Sequence, residues 1–92
     1  MTDRRVNKQE AFENLANAII IQACEDHQSA LRSMRHFSWD KRSKEYIRAK
    51  SEYDKCERFF RSEWFKALTT IDGEALLQSL KRREANDQQG IL

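Results

Sequence analysis

Apolar side chains recur along this chain in steps of three and four. Between residues 7 and 37 they fall at Phe12, Leu15, Ile19, Ala23, Ala30, Met34 and Phe37, which places them on one face of a helix. Within that stretch Ile19, Ile20 and Ile21 are consecutive and flanked by Ala16, Ala18, Ala23 and Cys24. Successive helical residues point about 100° apart, so this middle section is apolar around most of its circumference. It has to be covered from more than one side.

A second periodic segment spans residues 40–68, where Tyr46, Ala49, Tyr53, Cys56, Phe60, Trp64 and Ala67 keep the same spacing. Asp40 or Ser43 stands where a side-chain oxygen can cap its first turn. The connection HFSWD is short, so the two helices are predicted to form an antiparallel hairpin joined near residues 38–41. Folding there pairs positions whose numbers add to about 80. Cys24 then faces Cys56, and Ile19 faces Phe60. An unbroken second helix puts Trp64 on the seam with Phe60 and points Phe59 and Phe65 to other sides. On that reading Trp64 is core, and Trp39, in the turn, is not.

After Leu68 the stretch TTIDG interrupts the pattern, with Thr69, Thr70 or Asp72 as the cap and Glu74 in the electropositive first turn of a new helix. Ala75, Leu76, Leu77 and Leu80 predict a short amphipathic helix to about residue 83, ending on Lys81, Arg82 and Arg83 and folding back over the open end of the hairpin. Residues 85–92 show no periodicity and are expected to be an unstructured tail after a single helical domain of residues 1–84. The predicted fold is all-α: a long antiparallel helical hairpin with a short third helix folding back.

The hairpin covers one stripe of the first helix, and the third helix is short. Ile20, Ile21, Phe59 and Phe65 are therefore candidate interface residues, and a dimer through the first helix is expected because one self-complementary patch closes the assembly. The competing arrangement is a monomer in which the third helix, Phe59 and Phe65 wrap the first helix.

Composition supports the helical reading. The 92 residues contain no proline and only two glycines, Gly73 and Gly90, so the punctuation of strands and hairpins is missing. Charged residues make up 35% of the chain and hydrophobic residues 39%, enough to fold but with a thin core. No apolar run approaches the ~18–20 residues of a membrane span, and MTDRRVNKQE has no hydrophobic leader stretch. A cytoplasmic setting with Cys24 and Cys56 as thiols is expected, with no membrane association.

Positive charge is unevenly placed. Residues 32–50 carry seven basic and two acidic side chains, whereas residues 1–31 and residues 51–80 are each net −2. Arg32, Arg35, Lys41, Arg42, Lys44 and Arg48, with the aromatic Trp39 among them, are candidate contacts for nucleic acid, since cations meet phosphates and an aromatic ring can stack on a base. The plainer reading is a solvated helical bend, and an acidic protein partner is a third.

Catalytic patterns are missing: there is no HExxH, no Gly-rich phosphate loop and no GxSxG turn, so no catalytic residue, cofactor or small-molecule substrate is expected. Cys24-x-x-His27 with Cys56 opposite offers three potential zinc ligands, one short of a structural site, and a buried thiol pair beside a histidine is the reading preferred.

The stretch CERFFRSEWFKALTTIDGEALLQSLKRR, together with NLANAIIIQACEDHQSALR, resembles a group of small helical proteins carried by prophages and integrative elements of Gram-positive bacteria, in which an FFRSEWF-like aromatic block precedes a DGE-like helix start. The resemblance covers residues 14–83 and implies a mobile-element setting, without lending catalytic residues. The function expected is a small non-enzymatic interaction protein that binds a host or defence protein; the alternative is a nucleic-acid-binding regulator using the basic hairpin tip.

Overall fold

A computed structural model of the chain describes residues 8–89. The elements are α1 (Lys8–His36), α2 (Lys44–Phe60), α3 (Glu63–Leu68) and α4 (Gly73–Gln89), and among the described residues there is no strand. The predicted all-α class and hairpin hold. So does the register: the Tyr53 ring lies 4.8 Å from that of His27, centroid to centroid.

The turn between α1 and α2 is built from its own polar side chains. Ser38 donates its hydroxyl to the Arg35 carbonyl at 2.9 Å, and Asp40 Oδ1 accepts from the Arg42 amide at 3.0 Å. Ser43 is the N-cap of α2, its hydroxyl accepting from the Tyr46 amide at 3.1 Å. These bonds satisfy backbone donors that a helix start leaves unpaired.

The second predicted helix is not continuous. Ser62 takes an extended backbone (φ −84°, ψ 161°), donates its hydroxyl to the Phe59 carbonyl at 2.6 Å and accepts from the Phe65 amide at 3.1 Å. One extended residue breaks the 100° phase, so α3 starts with a new rotation. Phe65 turns inward, 1% exposed, and Trp64 turns outward, 60% exposed. The expectation that Trp64 fills the seam is overturned, and Phe65, placed at an interface by sequence, is core.

Asp72 starts α4 by accepting from the Glu74 and Ala75 amides at 3.0 and 3.4 Å. Gly73 permits the docking of that start. A Cβ at this position would overlap the Phe60 carbonyl oxygen and lie 3.3 Å from Phe65 Cδ2, so the first turn of α4 packs directly on the end of α2. Leu77 and Leu80 then join Ile20, Cys56, Phe60 and Phe65 in one core, with Phe59, Leu68, Leu76, Ala23 and Cys24 packed against it. Three edge-to-face contacts at 5.4–5.6 Å tie Phe59, Phe60 and Phe65 together. Each such pair is worth about 0.5–1.5 kcal/mol beyond area burial.

Two further expectations are corrected. Ile20, assigned to an interface, is 7% exposed because Leu77 and Leu80 of α4 reach it; Ile21 remains 57% exposed. α4 also runs past residue 83 to Gln89, so residues 85–89 of the expected tail are helical and residues 90–92 lie outside the described residues. The extension follows from a tertiary contact: Glu84, 1% exposed, sits against Arg32 and Arg35 of α1.

The two neighbouring aromatics should therefore differ sharply in chemical denaturation. Phe65→Ala is expected to cost roughly 3–5 kcal/mol, as truncation of a buried aromatic does, and Trp64→Ala less than about 1 kcal/mol. Gly73→Ala should be destabilising as well, since the obstacle is backbone. Equal losses for Phe65→Ala and Trp64→Ala would contradict the break at Ser62.

Candidate functional site

The outward rotation of α3 creates an apolar surface groove. Trp64 packs edge-on against Phe59 at 5.7 Å, and together they wall an open groove of about 380 Å³ whose other side is Ala18, Ile19, Gln22, Ala23 and Asp26 of α1. Leu15, one helical turn before Ile19, is 61% exposed. The sequence 14–24 of α1 has no charged residue, so this flank carries no ionised side chain until Asp26 at its rim, where Gln22 Nε2 donates to Asp26 Oδ1 at 2.9 Å. The alanines leave room, and the rings supply contact area.

Of the interface residues expected from sequence, Phe59 lines this groove, Ile21 lies exposed elsewhere on α1, and Ile20 and Phe65 are internal. Sequence reasoning missed Trp64, Ala18 and Leu15 as a surface. The signal that could have found it is Ser62 followed by Glu63, a helix start inside an otherwise periodic run.

Beneath the helices lies a buried polar node. His27 is fully buried, with its ring against Tyr53 and edge-on to Phe60, and its Nε2 is 3.6 Å from Glu57 Oε2, too long for a hydrogen bond. Lys81 Nζ approaches the same Glu57 oxygen at 2.9 Å, and Arg61 Nη1 donates to Glu57 Oε1 at 3.1 Å. Burial pushes the His27 imidazole below its ordinary value of 6.5, outweighing the pull of Glu57. Burial alone would raise the Glu57 carboxyl; Lys81, Tyr53 and Arg61 outweigh it and hold that carboxyl below its ordinary value. The node ties α1, α2 and α4 together.

The cysteines fit the same picture. Burial raises both thiols, Cys56 to about 11, so neither is an activated nucleophile. Among the described residues no group of three or more His, Cys, Asp or Glu side chains is arranged to hold a metal ion, and Cys24, His27 and Cys56 do not form one.

At the hairpin tip Trp39 is 76% exposed, and Lys41, Arg42, Lys44 and Arg48 are exposed around it. Arg32 and Arg35 differ, because both engage the carboxylate of Glu84, at 3.3 and 3.6 Å. Of the six candidate cations, Lys41 and Arg42 thus lie in the solvent-facing turn, Lys44 and Arg48 lie exposed on the first turns of α2, and Arg32 and Arg35 engage Glu84.

Compared with known protein families, curated proteins and solved structures, the chain matches none.

The His27 node predicts an acid-labile fold. The folded state holds His27 neutral at pH values where the unfolded chain protonates it. Its contribution is therefore complete above about pH 6.5 and declines as pH falls below that toward its lowered folded value. Glu57 adds a loss of the same sign on further acidification below 4.5. The urea midpoint of the wild type should drop between pH 7.5 and 5.5, and His27→Gln, less stable at pH 7.5, should lose most of that drop. An undiminished drop in the variant would assign the sensitivity to other groups.

Proposed function

We propose that this chain is a small non-enzymatic helical interaction protein, acting in the cytoplasm by seating a helix of another protein in the groove between α1 and the elbow of α2 and α3. The observation that carries the reading is Trp64, 60% exposed and packed edge-on against Phe59 beside an uncharged flank of α1. A tryptophan held at the surface by a defined cap, next to alanines and Ile19, is the composition of an interface anchor. An amphipathic helix presenting large apolar side chains at i and i+4 fits such a groove, with Gln22 and Asp26 as its polar rim. The resemblance of residues 14–83 to helical proteins of prophages and integrative elements supplies the setting: the partner would be a host or defence protein.

Photo-crosslinking in growing host cells tests this. A benzophenone amino acid in place of Trp64 should capture one discrete host polypeptide, and the adduct should disappear on adding Ala18→Glu, a change at an exposed position that leaves the core intact. The same probe at Ser79, exposed on α4, should give no such adduct. An identical adduct pattern from both positions would refute the reading, and an adduct of two copies of the chain would replace it with self-association through the same flank.

A further inference from the structure

We infer that the basic end of the bundle is a binding surface for single-stranded nucleic acid, formed jointly by the hairpin tip and the turn of α4 that carries Arg82 and Arg83. It stands apart from the groove at Trp64 and does not depend on it.

The joint character comes from Glu84. Its carboxylate meets Arg32 Nε at 3.3 Å and Arg35 Nη1 at 3.6 Å, while Arg35 Nη1 also donates to the Glu84 carbonyl at 3.1 Å. These contacts bring the turn of α4 that carries Arg82 and Arg83, both exposed, to the level of the end of α1. Residues distant in sequence thereby share one end of the molecule. Residues 32–50 and 82–84 hold nine basic and three acidic side chains, a net +6 in a chain of net +2, so the remainder is net −4. Of the three acids, Glu84 is buried and Asp40 accepts a backbone bond in the turn.

Unpaired cations are concentrated at this end, although Arg58 on α2 and Lys8 at the start of α1 are also exposed without an ion pair among the described residues. Elsewhere Lys55, Arg61, Lys66 and Lys81 each sit against a carboxylate at 2.9–3.1 Å, and Lys50, at the margin of the basic end, pairs with Asp54 at 3.0 Å. Lys41, Arg42, Lys44, Arg48, Arg82 and Arg83 make no ion pair among the described residues. Unpaired cations repel one another, and a polyanion relieves that repulsion with release of its own counterions. Trp39 decides the class of polyanion. Its indole is 76% exposed beside Lys41 and Arg42, and a flat ring among cations suits an unstacked base, which a single strand offers and an acidic protein or intact duplex does not.

The test is fluorescence anisotropy of a labelled 20-nucleotide single strand of mixed sequence with the full chain. Binding is expected at 50 mM salt and should weaken roughly 50-fold at 200 mM if about four phosphates are contacted. Arg82→Glu with Arg83→Glu should weaken binding about tenfold or more, with circular dichroism unchanged. In a Trp64→Phe background, where Trp39 is the remaining tryptophan, the strand should quench its emission, and Trp39→Ala should weaken the strand without affecting poly-glutamate. No binding at 50 mM salt would overturn the inference. So would tighter binding of poly-glutamate or duplex than of the single strand, or indifference to Arg82 and Arg83.

Discussion

Two hydrogen bonds to one hydroxyl decide which aromatic side chain becomes core. Ser62 Oγ donates to the Phe59 carbonyl and accepts from the Phe65 amide, ending α2 and starting α3 within two residues. Without that interruption the helical phase would carry Trp64 inward and Phe65 out. With it, Phe65 packs on Phe60 and Phe59, and the close approach of Gly73 to the Phe60 carbonyl becomes possible because the chain has already turned. That approach aims α4 along the hairpin, and Leu77 and Leu80 then close over Ile20. The packing of α3 and α4 on the hairpin is downstream of one serine, whereas Ala16, Ala30 and Ala49 are buried on the α1–α2 hairpin.

α4 is held by two kinds of contact that do different work. Leu77 and Leu80 supply the stabilisation, each worth about 1.5–3 kcal/mol when taken fully from water. The ion pairs set its rotation and axial position: Arg61 with Glu74 at its start, Lys81 with Glu57 in the middle, and Arg32 and Arg35 with Glu84 farther along. An exposed pair such as Arg61 with Glu74 contributes well under about 1 kcal/mol. Glu84 is different, because a buried carboxylate without its arginines is costly, so positions of α4 that leave it unpartnered are disfavoured. Apolar contact says that α4 docks; the buried charges say how.

The hairpin, its turn and its register were legible because they rest on local rules: three-four spacing, a cap at Asp40 or Ser43, of which the structure uses Ser43, and a connection too short for anything but antiparallel packing. The candidate surface was less so. Periodicity is phase-blind across a break, and Trp64 and Phe65 are adjacent, so a single extended residue exchanges their roles without altering the apolar pattern. The length of α4 was hidden for another reason. Residues 84–89 contain no large apolar side chain, and Glu84 is buried through arginines some fifty positions away, a contact no local rule encodes. The basic tip was visible as composition, but the diversion of Arg32 and Arg35 to Glu84, and the arrival of Arg82 and Arg83 beside them, needed the fold.

Both tryptophans of the chain lie outside a core whose aromatic content is phenylalanine. In a protein with so little interior, withholding its two largest side chains from burial forgoes stability, and the local structure holds them out by specific means: the Ser62 cap for Trp64, and the bonds of Ser38 and Asp40 around Trp39. Their surroundings are chemically opposite. Trp64 adjoins a flank of α1 with no charge over three turns, whereas Trp39 stands beside Lys41 and Arg42, which make no ion pair among the described residues. Ala18 and Arg32 are separated by about 20 Å of rise along α1, and the buried His27 node lies between them. A partner on one tryptophan therefore neither covers nor neutralises the other, and the rigid α1 that passes through both regions lets the chain hold two unlike surfaces at a fixed separation.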